Sequence, residues 1–269
     1  MSHRAPDPLL DSRLSALIDR VAQRQLQDFG HVGCDLKDDG TLITACDRWS
    51  DAVIVEGLRA LYPEDGCLSE EGDHRLPASP AFWVVDPLDG TTNFAAGIPY
   101  WSISLARFEG GRPVLGILDV PPLGLRIVAK AGLGVWRNGE PLDPPASKAH
   151  PGGCVSLCSR SIHVLQKLPD RPFPGKVRLF GVASLNMVSV ATGQTVAALE
   201  ATPKIWDLAA AWLVLRELSC PTRWLESDPG QILPGTDLTS LGFPVLAADC
   251  EATLRTYLPW GEALGCVVC

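Results

Sequence analysis

Hydrophobic positions in the first quarter of the chain predict two helices joined by a short strand. The first helix begins near Asp7-Pro8, an N-cap pattern with proline at the first helical position, and ends at Gly30. A turn at Asp38-Asp39-Gly40 leads into the strand, and a second helix runs from about Asp47 to Leu61. The apolar residues of the first helix recur mostly at three- and four-residue steps: Leu10, Leu14, Leu17, Ile18, Val21 and Phe29.

Strand patterns follow the two helices. A continuous apolar run at 81–85 predicts a buried strand, and further strands are predicted at 100–106, 113–120 and 125–129. Asn138-Gly139 then predicts a tight hairpin, because both turn positions tolerate a positive φ. Consecutive antiparallel strands after two helices indicate an α+β unit.

The pattern changes after residues 141–153, which are rich in Pro, Ala and Gly and form the best candidate boundary. Beyond it, strands are predicted at 154–157, 177–180 and 195–199, and helices at 184–192 and 206–218. This alternation indicates an α/β unit with some parallel pairing. We therefore expect an α+β half over residues 1–145 that carries the main acidic motif. An α/β half over 146–269 would complete the active site.

Composition narrows the class of protein. The chain has 269 residues, of which 46% are hydrophobic and 20% charged, as in ordinary globular proteins. Its 23 basic and 31 acidic residues give a net charge of −8, which disfavours binding to nucleic acid and to anionic membranes. No apolar run approaches the roughly 18 residues of a membrane span.

Localisation is predicted from the N-terminus and the cysteines. Residues 1–10 lack the basic start and apolar core of a signal peptide. Nine scattered cysteines, an odd number, fit reduced thiols better than a disulfide framework. We therefore expect a cytoplasmic protein. Cys266 and Cys269 form a CxxC pair without the two further ligands that zinc needs.

The most informative stretch follows the buried strand and reads Asp86-Pro-Leu-Asp89-Gly90-Thr-Thr. Two carboxylates three residues apart and the carbonyl of Leu88 are hard oxygen ligands of the kind that Mg²⁺ prefers. Gly90 lets the backbone approach a ligand, and the predicted helix start after it can donate N–H groups to an anion. A divalent metal beside such a helix start is an arrangement for phosphoryl transfer.

Two further acidic elements support this interpretation. Glu70-Glu71 lies upstream of the buried strand, and Asp207 lies at the start of a strongly apolar helix. Taken alone, the first is usually a solvated loop and the second a helix cap. The three acidic elements become informative together, because each can supply oxygen ligands to one cleft.

These motifs resemble those of the inositol monophosphatase family. Residues 86–94 are similar to its first signature, and residues 206–210 to its second. Glu70-Glu71 is similar to its upstream acidic pair, and residues 44–47 to the element that carries an additional acidic residue. The similarity continues in order from about residue 10 to about residue 218. The resemblance implies a layered αβαβα sandwich, mixed α+β and α/β in class, and a lithium-sensitive, Mg²⁺-dependent phosphatase that is commonly a homodimer.

The resemblance also implies roles for individual residues. Thr91, polarised through Asp47, would orient the metal-bound water that attacks phosphorus, and Glu70 would share in a third metal position. Glu71 would lie behind the ligands or in solvent. The implied ligands of two or three Mg²⁺ ions are Glu70, Asp86, the carbonyl of Leu88, Asp89 and Asp207.

Substrate contacts are implied in the same way. The N–H groups of Gly90 and Thr91 would bind phosphate, and Glu200 matches an acidic residue that contacts a substrate hydroxyl. Inositol monophosphate is the default substrate, mainly because of Glu200; histidinol phosphate, fructose 1,6-bisphosphate and 3′-phosphoadenosine 5′-phosphate stay open. The implied substrate-binding residues are Asp89, Gly90, Thr91, Ala183, Ser184, Glu200 and Asp207.

The chain departs from the family pattern after Asp207. Residues 218–221 read Leu-Ser-Cys-Pro where many relatives have a Gly-Gly turn, and residues 224–269 carry no matched motif. That tail usually completes the sheet, so the departure bears on strand register while the fold is expected to hold. The match around Val182 and Ser184 is approximate, and this bears on the substrate rather than on the chemistry.

A charge count supports a metal-dependent mechanism. Asp47, Glu70, Asp86, Asp89 and Asp207 would bring −5 into one cleft, while two Mg²⁺ ions add +4 and a third makes +6. Metal must therefore precede or accompany a phosphorylated metabolite. The alternative from another class is a non-catalytic, metal-binding regulatory protein. A dinucleotide-dependent oxidoreductase is excluded, because no GxGxxG motif is present.

Overall fold

The computed structural model describes residues 7–31, 33–37, 40, 42–146, 153–168 and 170–265. The helices are α1 Ser12–Asp28, α2 Ala45–Leu61, α3 Thr91–Ala95, α4 Val164–Lys167, α5 Ala183–Ala191, α6 Ile205–Glu217 and α7 Glu251–Gly265. The strands of the first half are β1 Cys34–Leu36, β2 Leu42–Thr44, β3 Gly66–Ser69, β4 Ala81–Asp89, β5 Ser102–Glu109, β6 Arg112–Val120, β7 Leu125–Lys130, β8 Gly134–Arg137 and β9 Glu140–Leu142. Those of the second half are β10 Cys154–Leu157, β11 Lys176–Arg178, β12 Ala197–Glu200, β13 Thr222–Trp224 and β14 Val245–Ala248.

The larger sheet has seven strands in the order β3-β4-β5-β6-β7-β8-β9. Strands β4 to β9 pair antiparallel in sequence order, as the alternating patterns predict, while β3 joins β4 in parallel. Asn138 and Gly139 form the predicted hairpin turn with φ of 52° and 84°. Because β3 and β4 are parallel, both strands end at the same edge of the sheet. The end of β4 therefore lies beside the Glu70-Glu71 loop that follows β3.

The smaller sheet has five strands in the order β11-β10-β12-β14-β13. Strand β10 pairs in parallel with β11 and β12, which confirms the predicted parallel pairing. Strand β14 runs antiparallel to β12 and β13. The C-terminal segment without a matched motif thus supplies the strand that completes this sheet and the helix α7.

Three apolar clusters separate the layers. Helices α1 and α2 pack on one face of the larger sheet, and α4 and α7 pack on the outer face of the smaller one. Helices α5 and α6 lie between the two sheets. At Gly116 a Cβ would come within 2.9 Å of the Ala210 carbonyl oxygen, so glycine lets α6 approach β6 closely. The result is the expected αβαβα sandwich.

The structure corrects the predicted N-cap of the first helix. Helix α1 is capped by Asp11, whose carboxylate accepts from the N–H of Arg13 at 2.7 Å, so the cap predicted at Asp7 is wrong. Asp7 instead closes a separate turn by accepting from the N–H of Leu9 at 2.9 Å.

The division into halves at 145/146 stays a prediction, and the Cys266/Cys269 pair lies outside the described residues. Over the described ranges, no helix combines the length and apolar character that a membrane crossing requires.

Helix α6 ends in a Schellman turn. The N–H of Cys220 donates to the Leu215 carbonyl at 2.8 Å, and the N–H of Ser219 donates to that of Arg216 at 3.1 Å. This geometry holds the exposed Ser219 at a φ of 56°, in the left-handed region that disfavours a Cβ. Serine therefore strains this turn. Many members of the family that the sequence resembles have a Gly-Gly turn there.

We expect Ser219→Gly to stabilise the protein by about 0.5–1 kcal/mol, because it removes the Cβ at a left-handed position. The melting temperature should rise by roughly 1–4 °C, measured by thermal denaturation. Ser219→Ala is the matched control, since it removes the hydroxyl but keeps the Cβ. Equal melting temperatures for the two variants would contradict the assignment of strain to the backbone.

Candidate functional site

The end of β4 brings two carboxylates together. Side chains three residues apart on a regular strand point to opposite faces, but the pairing of β4 with β5 shifts between Asp86 and Asp89. The N–H of Leu88 donates to Asp86 Oδ1 at 3.0 Å within this irregular turn. Gly90 follows with a φ of 105°, and a Cβ there would lie 2.8 Å from Val182 Cγ2. Glycine is therefore required at position 90 both by the positive φ and by the lack of room for a Cβ.

A third carboxylate comes from helix α6. Asp207 occupies the first turn, where its Oδ2 accepts from the N–H of Lys204 at 2.8 Å. One oxygen each from Asp86, Asp89 and Asp207 lies within 4.8 Å of the others. We call these three residues the acidic cluster.

Without a bound cation, the close approach of these three carboxylates destabilises their ionised form. Burial and the surrounding carboxylates raise the pKa of Asp86 and of Asp207 well above the usual value. Burial also raises the pKa of Asp89 to about 6, although the Ser184 hydrogen bonds oppose the shift. Three oxygen ligands at this spacing fit a hard divalent cation, which would favour the ionised form of every member. The residues present therefore suit the Mg²⁺ that the sequence predicts.

Thr91 lies at the start of α3 and is held by two acceptors. Its Oγ1 is 2.7 Å from Asp47 Oδ1 and 3.1 Å from the Leu88 carbonyl oxygen. Asp47 is buried, and its Oδ2 accepts from the N–H of Thr44 at 2.8 Å and from the Thr44 hydroxyl. The structure thus brings the predicted Thr91–Asp47 pair together, with Thr44 fixing the carboxylate.

The Glu70-Glu71 loop carries an ion pair that the sequence does not indicate. Lys37 Nζ lies 3.0 Å from Glu70 Oε1 and 2.7 Å from Glu71 Oε1. Burial raises the pKa of Glu71 to about 7 despite this partner. His74 Nε2 is 2.7 Å from the Glu70 carbonyl oxygen, and its ring stacks on Trp206 at 4.9 Å. The loop is therefore tied to the start of α6 beside Asp207.

The predicted substrate segment at the start of α5 contacts Asp89 directly. The N–H of Ser184 donates to Asp89 Oδ2 at 2.8 Å, and that of Ala183 lies 3.3 Å from Oδ1. The Ser184 hydroxyl is fully buried against Ser102 Oγ at 2.8 Å. Ser184 therefore orients the carboxylate from behind, whereas Ala183 lines the cavity.

Glu200 ends β12 and is buried. Its Oε1 accepts from Asn186 Nδ2 at 2.5 Å, and burial raises its pKa to about 8. Glu200 and the acidic cluster line one cavity of about 300 Å³. The other predicted site residues in its wall are Glu70, Leu88, Gly90, Thr91 and Ala183.

Sequence reasoning missed the residues that support or extend this cavity. Lys37 stands beside acidic neighbours in a loop, which is also the usual setting of a solvated lysine. Asn186 lies in a helix whose apolar pattern hides it, and Cys158 and Arg160 follow a strand without a recognisable motif. No feature of a single sequence separates these residues from ordinary ones.

Gln25 supports the site turn from the far side. It is fully buried on α1, and its Nε2 donates to the Pro87 carbonyl at 2.7 Å and to Ser50 Oγ at 3.2 Å. Its Oε1 accepts from Trp101 Nε1 at 3.0 Å. One amide thus connects α1, α2, the turn after Asp86 and the start of β5.

The chain is a layered αβαβα sandwich with a carboxylate-lined cavity. The model of the inositol monophosphatase family matches residues 9–224, and the chain belongs to that family. The predicted membership and the predicted fold are confirmed.

Individual relatives share the fold but differ in the substrates they are named for. The chain is 30% identical over 182 residues to a fructose-1,6-bisphosphatase/inositol-1-monophosphatase of Thermotoga maritima, covering 65% of this chain and 68% of the relative. It is 30% identical over 206 residues to a histidinol-phosphatase of Chlorobaculum parvum, covering 74% and 76%. The solved structure of an IMPase/NADP phosphatase complexed with Mg²⁺ and phosphate matches with a TM-score of 0.75 and 24% identity, covering 90% of this chain and 92% of that chain.

We expect Gln25→Leu to lower the free energy of unfolding by about 1–3 kcal/mol, because it leaves the buried Pro87 carbonyl and Trp101 N–H unpaired. The midpoint of urea denaturation measures the change. Gln23→Leu is the matched control, since Gln23 is exposed on the same helix and should change stability by no more than about 0.5 kcal/mol. If both variants unfold at the same urea concentration, Gln25 does not support the turn.

Proposed function

We propose that this protein is a Mg²⁺-dependent phosphomonoesterase that hydrolyses a small polyol or sugar phosphate, with inositol monophosphate as the default substrate. The observation that carries the proposal is the meeting of the acidic cluster and the Thr91–Asp47 pair at one cavity. Mg²⁺ and phosphate in the solved structure of a relative support this assignment.

The metal would be held by the residues predicted from the sequence, in a set of two or three ions. Glu70, Asp86, Asp89, Asp207 and the Leu88 carbonyl all line the cavity, so each has an oxygen available on its wall. When bound, the ions would lower the pKa of water and neutralise charge on the phosphate oxygens.

The protein's own groups would orient the reactants. Thr91 Oγ1 donates its proton toward Asp47, so its lone pairs are free to accept a hydrogen bond from the attacking water. The backbone N–H groups of Gly90 and Thr91 would donate to phosphate oxygens at the start of α3. Ala183 and Ser184 hold Asp89 through their own N–H groups, which keeps that carboxylate facing the cavity.

Glu200 would select the alcohol part of the substrate. It reaches the same cavity from the second half of the chain, and its carboxyl oxygens can accept hydrogen bonds. A polyol hydroxyl supplies the donor that such a group needs. Relatives named for fructose 1,6-bisphosphate and for histidinol phosphate keep those substrates open as alternatives, together with 3′-phosphoadenosine 5′-phosphate.

A panel of these phosphates and 4-nitrophenyl phosphate, each with and without Mg²⁺, tests the proposal. We expect Mg²⁺-dependent release of phosphate, with the highest kcat/KM for the polyol phosphate. A chain that binds Mg²⁺ but hydrolyses none of them would be the non-catalytic, regulatory alternative. A homodimeric state and inhibition by lithium remain parts of the proposal, supported by family membership, and a cytoplasmic location is supported by the scattered, odd-numbered cysteines.

Asp89→Asn should abolish turnover while the protein stays folded, because it keeps the shape of a metal ligand and removes its charge. The loss of kcat at saturating Mg²⁺ should exceed the roughly hundred- to thousandfold typical of removing one oriented hydrogen-bond donor. Asp170→Asn changes the same charge at an exposed position and should leave kcat unchanged. A near-normal kcat for Asp89→Asn would remove this residue from the metal site.

Thr91→Ala should lower kcat by about a hundredfold or more, because misplacing the attacking water by about 1 Å is enough for such a loss. Mg²⁺ affinity, measured by titration calorimetry, should change little. Thr91→Ser keeps the hydroxyl and should restore most of the rate. A parallel loss of kcat and metal affinity in the alanine variant would mark Thr91 as structural.

A further inference from the structure

Part of the cavity wall outside the acidic cluster consists of a buried polar pair. Asn186 on α5 and Glu200 at the end of β12 both line the cavity, with only 1% and 2% of their surfaces exposed. Asn186 Nδ2 donates to Glu200 Oε1 at 2.5 Å. The amide therefore fixes the carboxyl group that is proposed to select the substrate.

The other end of the same amide is unsatisfied. Asn186 Oδ1 is buried and has no hydrogen-bond partner within the described part of the chain. An unpaired buried acceptor is destabilising, so a native structure that keeps one calls for an explanation. A ligand that brings a donor into the cavity would supply the missing partner.

The backbone of Asn186 anchors α5 through bonds that do not involve its side chain. The Asn186 carbonyl oxygen already accepts from Ser156 Oγ at 3.0 Å and from Ser189 Oγ at 2.6 Å, which anchors the helix through its backbone. Asparagine is also a poor residue for a helix interior. The side chain amide therefore serves Glu200 and the cavity more than the fold.

We propose that Asn186 is a specificity-determining residue that positions Glu200 and adds a second acceptor, so that this part of the cavity selects phosphate esters with vicinal hydroxyls. The proposal rests on the proposed phosphatase function and names the part of that site which distinguishes substrates. A site built to hydrogen-bond hydroxyls discriminates strongly against an analogue that lacks them, because its buried polar groups are then left unpaired.

The test compares two substrates that differ only in hydroxyl groups, inositol 1-phosphate and cyclohexyl phosphate, with 4-nitrophenyl phosphate as the measure of basal chemistry. The selectivity ratio is kcat/KM for the first divided by kcat/KM for the second. Asn186→Leu, of similar volume, should lower this ratio about tenfold or more and leave kcat on 4-nitrophenyl phosphate within about threefold. Met187→Leu, a core change one residue away, should leave the ratio unchanged.

A second comparison shows whether Asn186 acts through Glu200. Glu200→Gln alone should also lower the selectivity ratio about tenfold. The double variant should lose little more than Glu200→Gln alone, because contacting residues are not additive. Fully additive losses would show that Asn186 does not position Glu200.

The proposal is wrong if folded Asn186→Leu keeps a selectivity ratio within twofold of wild type, or if it loses activity equally on all three substrates. Should the leucine variant fail to fold, Asn186→Ala removes the same donor without adding a carboxyl group and must lower the ratio. If wild type hydrolyses 4-nitrophenyl phosphate but does not prefer inositol 1-phosphate to cyclohexyl phosphate, this proposal fails and the phosphatase function stands. If wild type is inert toward all three, this proposal fails, and the phosphatase function fails with it only if the other phosphates of the panel are not hydrolysed either.

Discussion

The close approach of three carboxylates, two of them buried, is the constraint on which the rest of this structure depends. Asp86, Asp89 and Asp207 approach within 4.8 Å, and burial raises the pKa of each. Such a cluster forms only where other interactions in the fold stabilise the protein by more than the close carboxylates destabilise it. Backbone donors provide part of it, since each carboxylate accepts from at least one N–H group placed by a turn or a helix start. A bound divalent cation would supply the rest, which is why this arrangement indicates a metal centre more strongly than any single aspartate does.

The layered architecture follows from the same constraint. Two of the carboxylates lie at the end of β4, beside the edge strand β3 of the larger sheet, and the third begins a helix that is buried between both sheets. Close approach at Gly116 seats α6 on β6, while the Gln25 amide holds the turn after Asp86 from the opposite face of the sheet. The acidic cluster therefore depends on contacts from three layers. A change in any one layer would alter distances that matter on the scale of an ångström.

The sequence predicted those parts of the molecule in which local pattern and chemistry agree. Strand β4 and its acidic turn, the antiparallel strands after it and the apolar helix α6 all carry such patterns, and the family resemblance joined them into one fold. The cap of α1 was misplaced, because Asp7 and Asp11 both suit an N-cap and only the separate turn at Asp7 decides between them. Contacts between distant segments that the family resemblance does not name were not predictable. Lys37 against the glutamate pair, Gln25 behind the site turn and Asn186 against Glu200 are ordinary polar residues until the chain folds.

Under the proposed function, the cavity has two tasks: it binds the phosphate group that all candidate substrates share, and it distinguishes the alcohol that carries this group. Its acidic cluster would attract cations and, through them, any phosphate ester, so it would favour no particular alcohol. Selection would then come from groups that the phosphate does not touch, such as the buried Asn186–Glu200 pair in the wall. The relatives named for fructose 1,6-bisphosphate and inositol 1-monophosphate and for histidinol phosphate fit this division, because their named substrates share a phosphate and differ in the alcohol. Differences between such enzymes should therefore concentrate where α5 and β12 meet, rather than at the acidic turn.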